Sequence, residues 1–158
     1  MATRDIVLTY EDYAALPADG RRYEIHDGKL SVTPAPSPQH QMISRNLFIV
    51  LHQHVRTRGL GEVLYAPLDV ILTGSAIVQP DIVYLDRARL GAISRRGIEG
   101  PPTLVVEVLS PSTTLTDRST KWRLYARHGV PFYWLVDPEA RAIEALVLGP
   151  AGYSLAVR

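Results

Sequence analysis

The chain has 158 residues, 46% of them hydrophobic and 21% charged, with a formal net charge of +1 and no cysteine. That length suits a single domain, residues 1–158, with a core of its own. The lack of cysteine excludes a disulfide scaffold, a thiolate metal centre and a cysteine nucleophile, and the near-zero charge does not advertise nucleic-acid binding while leaving room for a local basic groove.

No apolar run reaches the roughly 18 residues that a membrane span needs. Asp5, Glu11 and Asp12 sit where a secretory leader would be apolar. The expectation is a cytoplasmic protein with no membrane partner.

In chain order, RRYEIHDGKLSVTP (21–34) reads as two short strands joined at Asp27-Gly28, a strong hairpin signal. SPQHQMISRNLFIVLHQHVRTRG (37–59) predicts a helix. Ser37 can cap it and Pro38 suits its first position; Ile43, Leu47, Val50, Leu51 and Val55 keep helical spacing, and Gly59 stops it. GEVLYAPLDVILTG (61–74) predicts two strands around a kink or bulge at Pro67. AIVQPDIVYLD (76–86) predicts one further strand interrupted by Pro80, which has no N–H for a ladder. Residues 86–101 read as a polar loop with Arg87, Arg89, Arg95 and Arg96. TLVVEVLS (103–110) reads as a buried strand. TLTDRSTKWRLYARHG (114–129) predicts a helix ending at Gly129, with Pro131 beyond it. PFYWLVD (131–137), AIEALVL (142–148) and GYSLAV (152–157) predict a strand and a closing hairpin. Two helices against a mixed sheet give an α/β (α+β) domain.

Two carboxylates carry the chemistry. Glu107 lies inside the apolar strand, where an unpaired ionised carboxylate is very costly. It needs a partner, a raised pKa or a place where the strand emerges from the core. Asp81 follows the proline that interrupts another strand, and a distorted strand can turn its side chain toward a cavity. Adjacent strands that each present one carboxylate suit a divalent cation, since Mg²⁺ takes one or two carboxylates and fills its octahedron with water and phosphate. Such a site also wants a cation near the phosphate or the attacking water, and Lys121 is the candidate. The plainer reading makes Asp117 and Lys121 a surface i, i+4 ion pair, worth a few tenths of a kcal/mol.

Pro80-Asp81 followed by a hydrophobic strand bearing Glu107 resembles the PD-(D/E)XK nuclease superfamily. VQPDIVYL, PPTLVVEVLSPST, TDRSTKWRLYARHGVPFYWLVDPEAR and the early YEIHDGKL together resemble the Uma family of restriction-endonuclease-type proteins, from about Tyr23 to about Arg141. The resemblance implies a restriction-endonuclease-like mixed sheet flanked by two main helices, with N-terminal and C-terminal hairpins. It implies Mg²⁺ or Mn²⁺ held by Asp81 and Glu107, with the Val108 carbonyl contributing, and Lys121 as the third catalytic residue. The superfamily motif places lysine two residues after the acid; Leu109 stands there, and Lys121 on the following helix looks like its replacement.

Other residues carry weaker signals. Glu24 could be a third acid facing the metal, as in some superfamily members, or an outer charge of a hairpin. His40 could touch phosphate from the helix start or be a core histidine, and Asp69 and Asp117 are accessory candidates. Arg118, Arg123 and Arg127 could track a phosphate backbone or form a solvated face. His52 and His54 point different ways on their helix and make a poor metal pair. Three functions remain in view: a Mg²⁺-dependent DNA endonuclease, expected to work as a homodimer; an inactive nuclease-fold module binding nucleic acid or protein; and, more remotely, a hydrolase of a small phosphorylated compound.

Overall fold

The computed structural model describes residues 5–158, so the first four positions of the expected 1–158 domain lie outside the described residues. It opens with a helical turn that the hydrophobic spacing did not announce, α1 (Tyr10–Ala14). Asp12 accepts from the Thr9 N–H at 2.8 Å, a capping arrangement, and Tyr10 and Tyr13 pack on buried Ile25, Ile71 and Ile77.

Strands β1 (Arg22–His26) and β2 (Lys29–Thr33) form the expected hairpin, with His26 opposite Lys29. Asp27 and Gly28 have φ of 48° and 84°. Such a two-residue turn matches the strand twist, and Asp-Gly tolerates it. Helix α2 (Pro38–Arg58) has the expected ends: the Ser37 side chain accepts from the His40 N–H, and Gly59 closes the helix in the left-handed region at φ 59°.

Strands β3 (Gly61–Tyr65), β4 (Val70–Thr73), β5 (Ala76–Val78) and β6 (Ile82–Asp86) follow. The segment expected as one interrupted strand is two strands in two different sheets, and Gln79-Pro80-Asp81 carries the chain between them. The expected polar loop holds a 3₁₀ turn (Arg87–Ala92) and two short strands, β7 (Ile93–Ser94) and β8 (Gly97–Glu99). Ile98 is fully buried there and its N–H donates to the Asp69 carbonyl, which ties the segment down. Strand β9 (Leu104–Val108) is buried at every residue. The expected single helix is broken into α3 (Thr114–Arg118) and α4 (Thr120–Arg127). Ser119, at the break, returns its hydroxyl to the Leu115 carbonyl, the back-bonding that makes hydroxyl-rich stretches poor helix interiors. Strands β10 (Phe132–Asp137), β11 (Ala142–Gly149) and β12 (Gly152–Val157) complete the chain.

The strands make two six-stranded mixed sheets, ordered β2-β1-β5-β4-β8-β7 and β12-β11-β10-β9-β6-β3. In the second sheet β9 and β10 are parallel, joined through α3 and α4, and β6 lies antiparallel on the other side of β9. One face of this sheet presents Val83, Val105, Tyr133 and Leu135 to Val70, Val78 and Ile98 of the first sheet and to Leu124 and Tyr125 of α4. The other face presents Ile82, Leu104, Val106 and Val108 to Leu47, Leu51 and Val55 of α2. Each such buried aliphatic side chain contributes about 1.5–3 kcal/mol against the cost of ordering the chain. The fold class is the expected mixed α+β one, with the strands divided between two packed sheets.

Candidate active site

Strand alternation decides which way the acids point. Val105 and Leu109 face the first sheet and α4, so Glu107 between them takes the same side. The β6–β9 register pairs Val83 with Val105 and Ile82 with Val106. Carried one residue further, it sets Asp81 across from Glu107, at the point where Pro80 ends the ladder. The Val108 N–H, freed from that ladder, donates to Asp81 Oδ2 at 2.8 Å. Both acids line one cavity of about 250 Å³, together with Arg22, His40, Asp117 and Lys121.

Lys121 is on the buried stripe of α4 with Leu124 and Tyr125, and is 6% exposed. Its Nζ lies 2.9 Å from Glu107 Oε1, 3.2 Å from Glu24 Oε1 and 3.6 Å from Asp117 Oδ1. The Asp117–Lys121 pair is therefore buried, not a solvated surface pair. Tyr125 Oη also donates to Glu107 Oε1, at 2.7 Å. Leu109, in the place where the motif has lysine, is packed in the main core.

The electrostatics follow from crowding four buried carboxylates around two permanent cations. Burial pushes Glu107 up to about 8, with the charges of Asp117, Asp81 and Glu24 adding to it and Lys121 opposing. Burial likewise raises Asp117, whose Oδ1 has no hydrogen-bond partner among the described residues. Burial would raise Asp81 too, but the bond to His40, the charges of His40 and Arg22, and the Val108 N–H hold it below its ordinary value. Glu24 is also held low against burial, by Lys121, His26 and the Gln79 N–H. Burial would lower Lys121, yet Glu107, Glu24 and Asp117 outweigh it and raise it, so the ammonium stays charged. Four ionised carboxylates against Lys121 and Arg22 would leave two negative charges, the amount a divalent ion brings, and a bound ion would favour the ionised form of Glu107. Among the described residues no three acidic or imidazole side chains are already gathered as a ligand cluster. Asp81 and Glu107, two hard oxygen donors on one cavity wall, are the chemistry that suits a cation held by two carboxylates and completed by water and phosphate oxygens.

The remaining sequence candidates divide between the cavity and other surroundings. His40 Nε2 is 3.2 Å from Asp81 Oδ2. Glu24 is spent on Lys121, His26 (2.8 Å) and the Gln79 N–H (2.7 Å). Asp69 lies behind the cavity, bonded to Tyr13 Oη at 2.6 Å and to the Gln79 side chain at 2.9 Å. Arg118 pairs with Glu144 and Asp137, Arg127 with Asp27, and the exposed Arg123 bonds the Ser119 carbonyl. None of these three arginines lines the cavity.

Two features escaped sequence reasoning. Arg22 Nη1 is 3.3 Å from Asp81 Oδ1 and its Nη2 bonds the Gln79 carbonyl. Its signal was available: strand alternation puts Arg22, Glu24 and His26 on one face of β1. The second is the SPST loop, in which Ser110 and Thr113 hydroxyls, 3.0 Å apart, line the cavity beside Glu107. Nothing in its composition separates it from an ordinary helix-entry loop.

Comparison with known proteins assigns the chain to a family. The family model Uma2, described as "Putative restriction endonuclease", matches residues 10–157. The chain is also similar to a solved structure described as a "putative nuclease belonging to DUF820" from Anabaena variabilis ATCC 29413. The two share 20% identity and a TM-score of 0.77, over 94% of this chain and 83% of that one. At that identity the likeness is one of fold. No curated protein matches significantly. With the match running through almost the whole chain, the protein belongs to the Uma2 family of restriction-endonuclease-like proteins.

Proposed function

We propose that the protein is a Mg²⁺-dependent endonuclease hydrolysing phosphodiester bonds of DNA. The observation that carries this reading is the cavity in which Asp81 and Glu107 stand across one β-ladder with Lys121 bonded to Glu107. Asp81 and Glu107 would hold the cation, with the Val108 carbonyl as a further oxygen. Bound there, the ion would supply charge neutralisation at the phosphate and acidify a water. The chain's own groups do the rest. Lys121, kept protonated by its three carboxylates, orients water or a phosphate oxygen by donating a hydrogen bond, so it is no base. Arg22 and His40 hold Asp81 ionised and face the place a phosphate would enter. The Ser110 and Thr113 hydroxyls can donate to its oxygens. Cutting both strands of a duplex would take two copies, so the working unit is read as a homodimer.

The test is cleavage of supercoiled plasmid by purified protein with Mg²⁺ or Mn²⁺. Wild type should nick or linearise it. Asp81→Asn and Glu107→Ala should each fall by at least about 100-fold, beyond the 10–100-fold usual for groups that only support a metal's ligands. Equal nicking by wild type and both variants would reject catalysis at this cavity.

Arg22 offers a separate check. It competes with any cation for Asp81, and it also adds positive charge where phosphate would bind. Arg22→Met should therefore tighten Mg²⁺ binding several-fold by calorimetry while weakening DNA binding. Weaker binding of both would contradict this placement of the guanidinium.

A second reading has its own observation. Both Asp81 oxygens are already engaged, by Arg22, His40 and Val108, so the acid is satisfied without metal. In that case the fold is a binding module for nucleic acid or protein, and calorimetry with Mg²⁺ would give no signal that Asp81→Ala removes.

A further inference from the structure

A groove of about 1040 Å³ runs on from the acidic cavity, and Arg22, Pro36, His40 and Asp81 belong to the walls of both. It lies along the first half of α2 and the end of β3, and none of its residues entered the reading of the catalytic chemistry except at that shared end. Its far wall is aromatic. Tyr65 is 62% exposed and stands edge-on to Phe48, with ring centroids 4.7 Å apart at 68°. Phe48 in turn stacks on His52 at 5.4 Å, so the Tyr65 ring is backed by a second ring pair. Met42 and Ile49, both about half exposed, continue the apolar surface.

The polar part of the groove has one sign. Arg21 and Arg45 line it in addition to Arg22, and among the described lining residues Asp81, at the shared end, is the sole carboxylate. Among the described residues Arg45 bonds only the neighbouring Asn46 side chain, and Arg21 lies 3.7 Å from Asp19 with two-thirds of its side chain in solvent. Neither guanidinium is held by a buried carboxylate, so both can turn to meet an anion. The buried Ser44 hydroxyl, also in the wall, has no hydrogen-bond partner among the described residues.

We infer that this groove is a subsite for an unpaired nucleotide next to the scissile phosphate: its base stacks on Tyr65 and its phosphates lie on Arg21 and Arg45. This rests on the nuclease reading of the adjoining cavity and names the form of substrate it takes. Charge complementarity and continuity with the cavity select a nucleic acid over an apolar peptide. The aromatic platform selects an unpaired strand over a duplex, because a base inside the double helix has no free face to offer. The strand being cut then enters the site unpaired, as a single strand, a flap or a stretch of duplex opened at the site.

The test measures fluorescence anisotropy of a labelled 12-nucleotide single strand and of the matching blunt duplex, in EDTA so that no cleavage occurs. Wild type should bind the single strand more tightly. Tyr65→Ala should weaken that binding by about 5- to 50-fold, in the range set by base–aromatic stacking. Duplex binding should hardly change, and Tyr65→Phe should bind like wild type. Tyr65 is exposed, so neither variant threatens the core. Arg45→Ala should weaken binding and flatten its salt dependence. Single-strand binding unaltered by Tyr65→Ala, or absent in wild type, overturns the subsite. So does a dimer in sedimentation that Tyr65→Ala dissociates, which would make this face a contact between two copies. The two readings fail separately. Plasmid cleavage with no Tyr65 effect removes the subsite and leaves the nuclease; Tyr65-dependent binding with no cleavage under any metal does the reverse.

Discussion

Lys121→Met is expected to cost about 3–5 kcal/mol of stability at pH 8, the range found when one partner of a buried ion pair is removed. The substitution leaves Glu24, Glu107 and Asp117 packed together with no ammonium among them. For a chain of this length that should lower Tm by roughly 6–20 °C. The penalty should shrink as pH falls toward 5, because the orphaned acids can take up protons in place of the lysine charge. Urea unfolding at both pH values measures it. A cost below about 1 kcal/mol at pH 8 would mean that Lys121 is a solvated side chain, and its part in both the core and the site would fall together. If activity is lost at pH 5 while stability is nearly restored, the ammonium is needed for the reaction beyond holding the fold.

The same lysine shows how far the sequence could be read. Asp117 and Lys121 at i, i+4 look identical whether they lie on a surface or in a cavity. The family resemblance is what pointed to the cavity, and the structure supplies the physical reason: Lys121 shares the buried face of α4 with Leu124 and Tyr125. The acids were legible because physics makes them anomalous: a glutamate inside LVVEV and an aspartate after a strand proline each demand a reason. The hairpin at Asp27-Gly28 and both ends of α2 were legible because their turn and cap residues act locally. The division into two sheets was not. Residues 76–86 are apolar on both sides of Gln79-Pro80-Asp81, and only long-range pairing assigns β5 to one sheet and β6 to the other. The break at Ser119 hid for the opposite reason, since the apolar spacing runs on across a local hydroxyl bond. Arg22 was overlooked because an arginine near a chain start reads as solvated until a distant segment, Gln79 to Asp81, is brought against it.

If the protein is the proposed nuclease, Glu107→Gln is expected to abolish cleavage and yet to stabilise the metal-free protein at pH 8. The sign follows from the proton balance. The folded state lifts Glu107 from its ordinary value of 4.5 to about 8. Between those values the folded chain keeps a proton that the unfolded chain has lost. Stability of the wild type therefore falls as pH rises from about 4.5 to about 8, and levels off above. Asp117, raised by the same burial, adds to that slope. Asp81 and Glu24 are held low and act oppositely, their contribution being lost only as pH falls through the acid range. Glutamine keeps the shape and the Tyr125 and Lys121 contacts in part, but carries no charge to crowd the other acids. The variant should lose most of the downward slope and exceed the wild type at pH 8 by on the order of a few kcal/mol. Mg²⁺ should raise the wild type at pH 8, by RT ln(1 + [L]/Kd), and leave the variant nearly unmoved. Thermal unfolding of both proteins at pH 5 and pH 8, with EDTA or Mg²⁺, reads all of this. A Glu107→Gln protein less stable than wild type at pH 8 in EDTA would mean that Glu107 is ionised and well paired with Lys121, and the cavity would no longer need a cation.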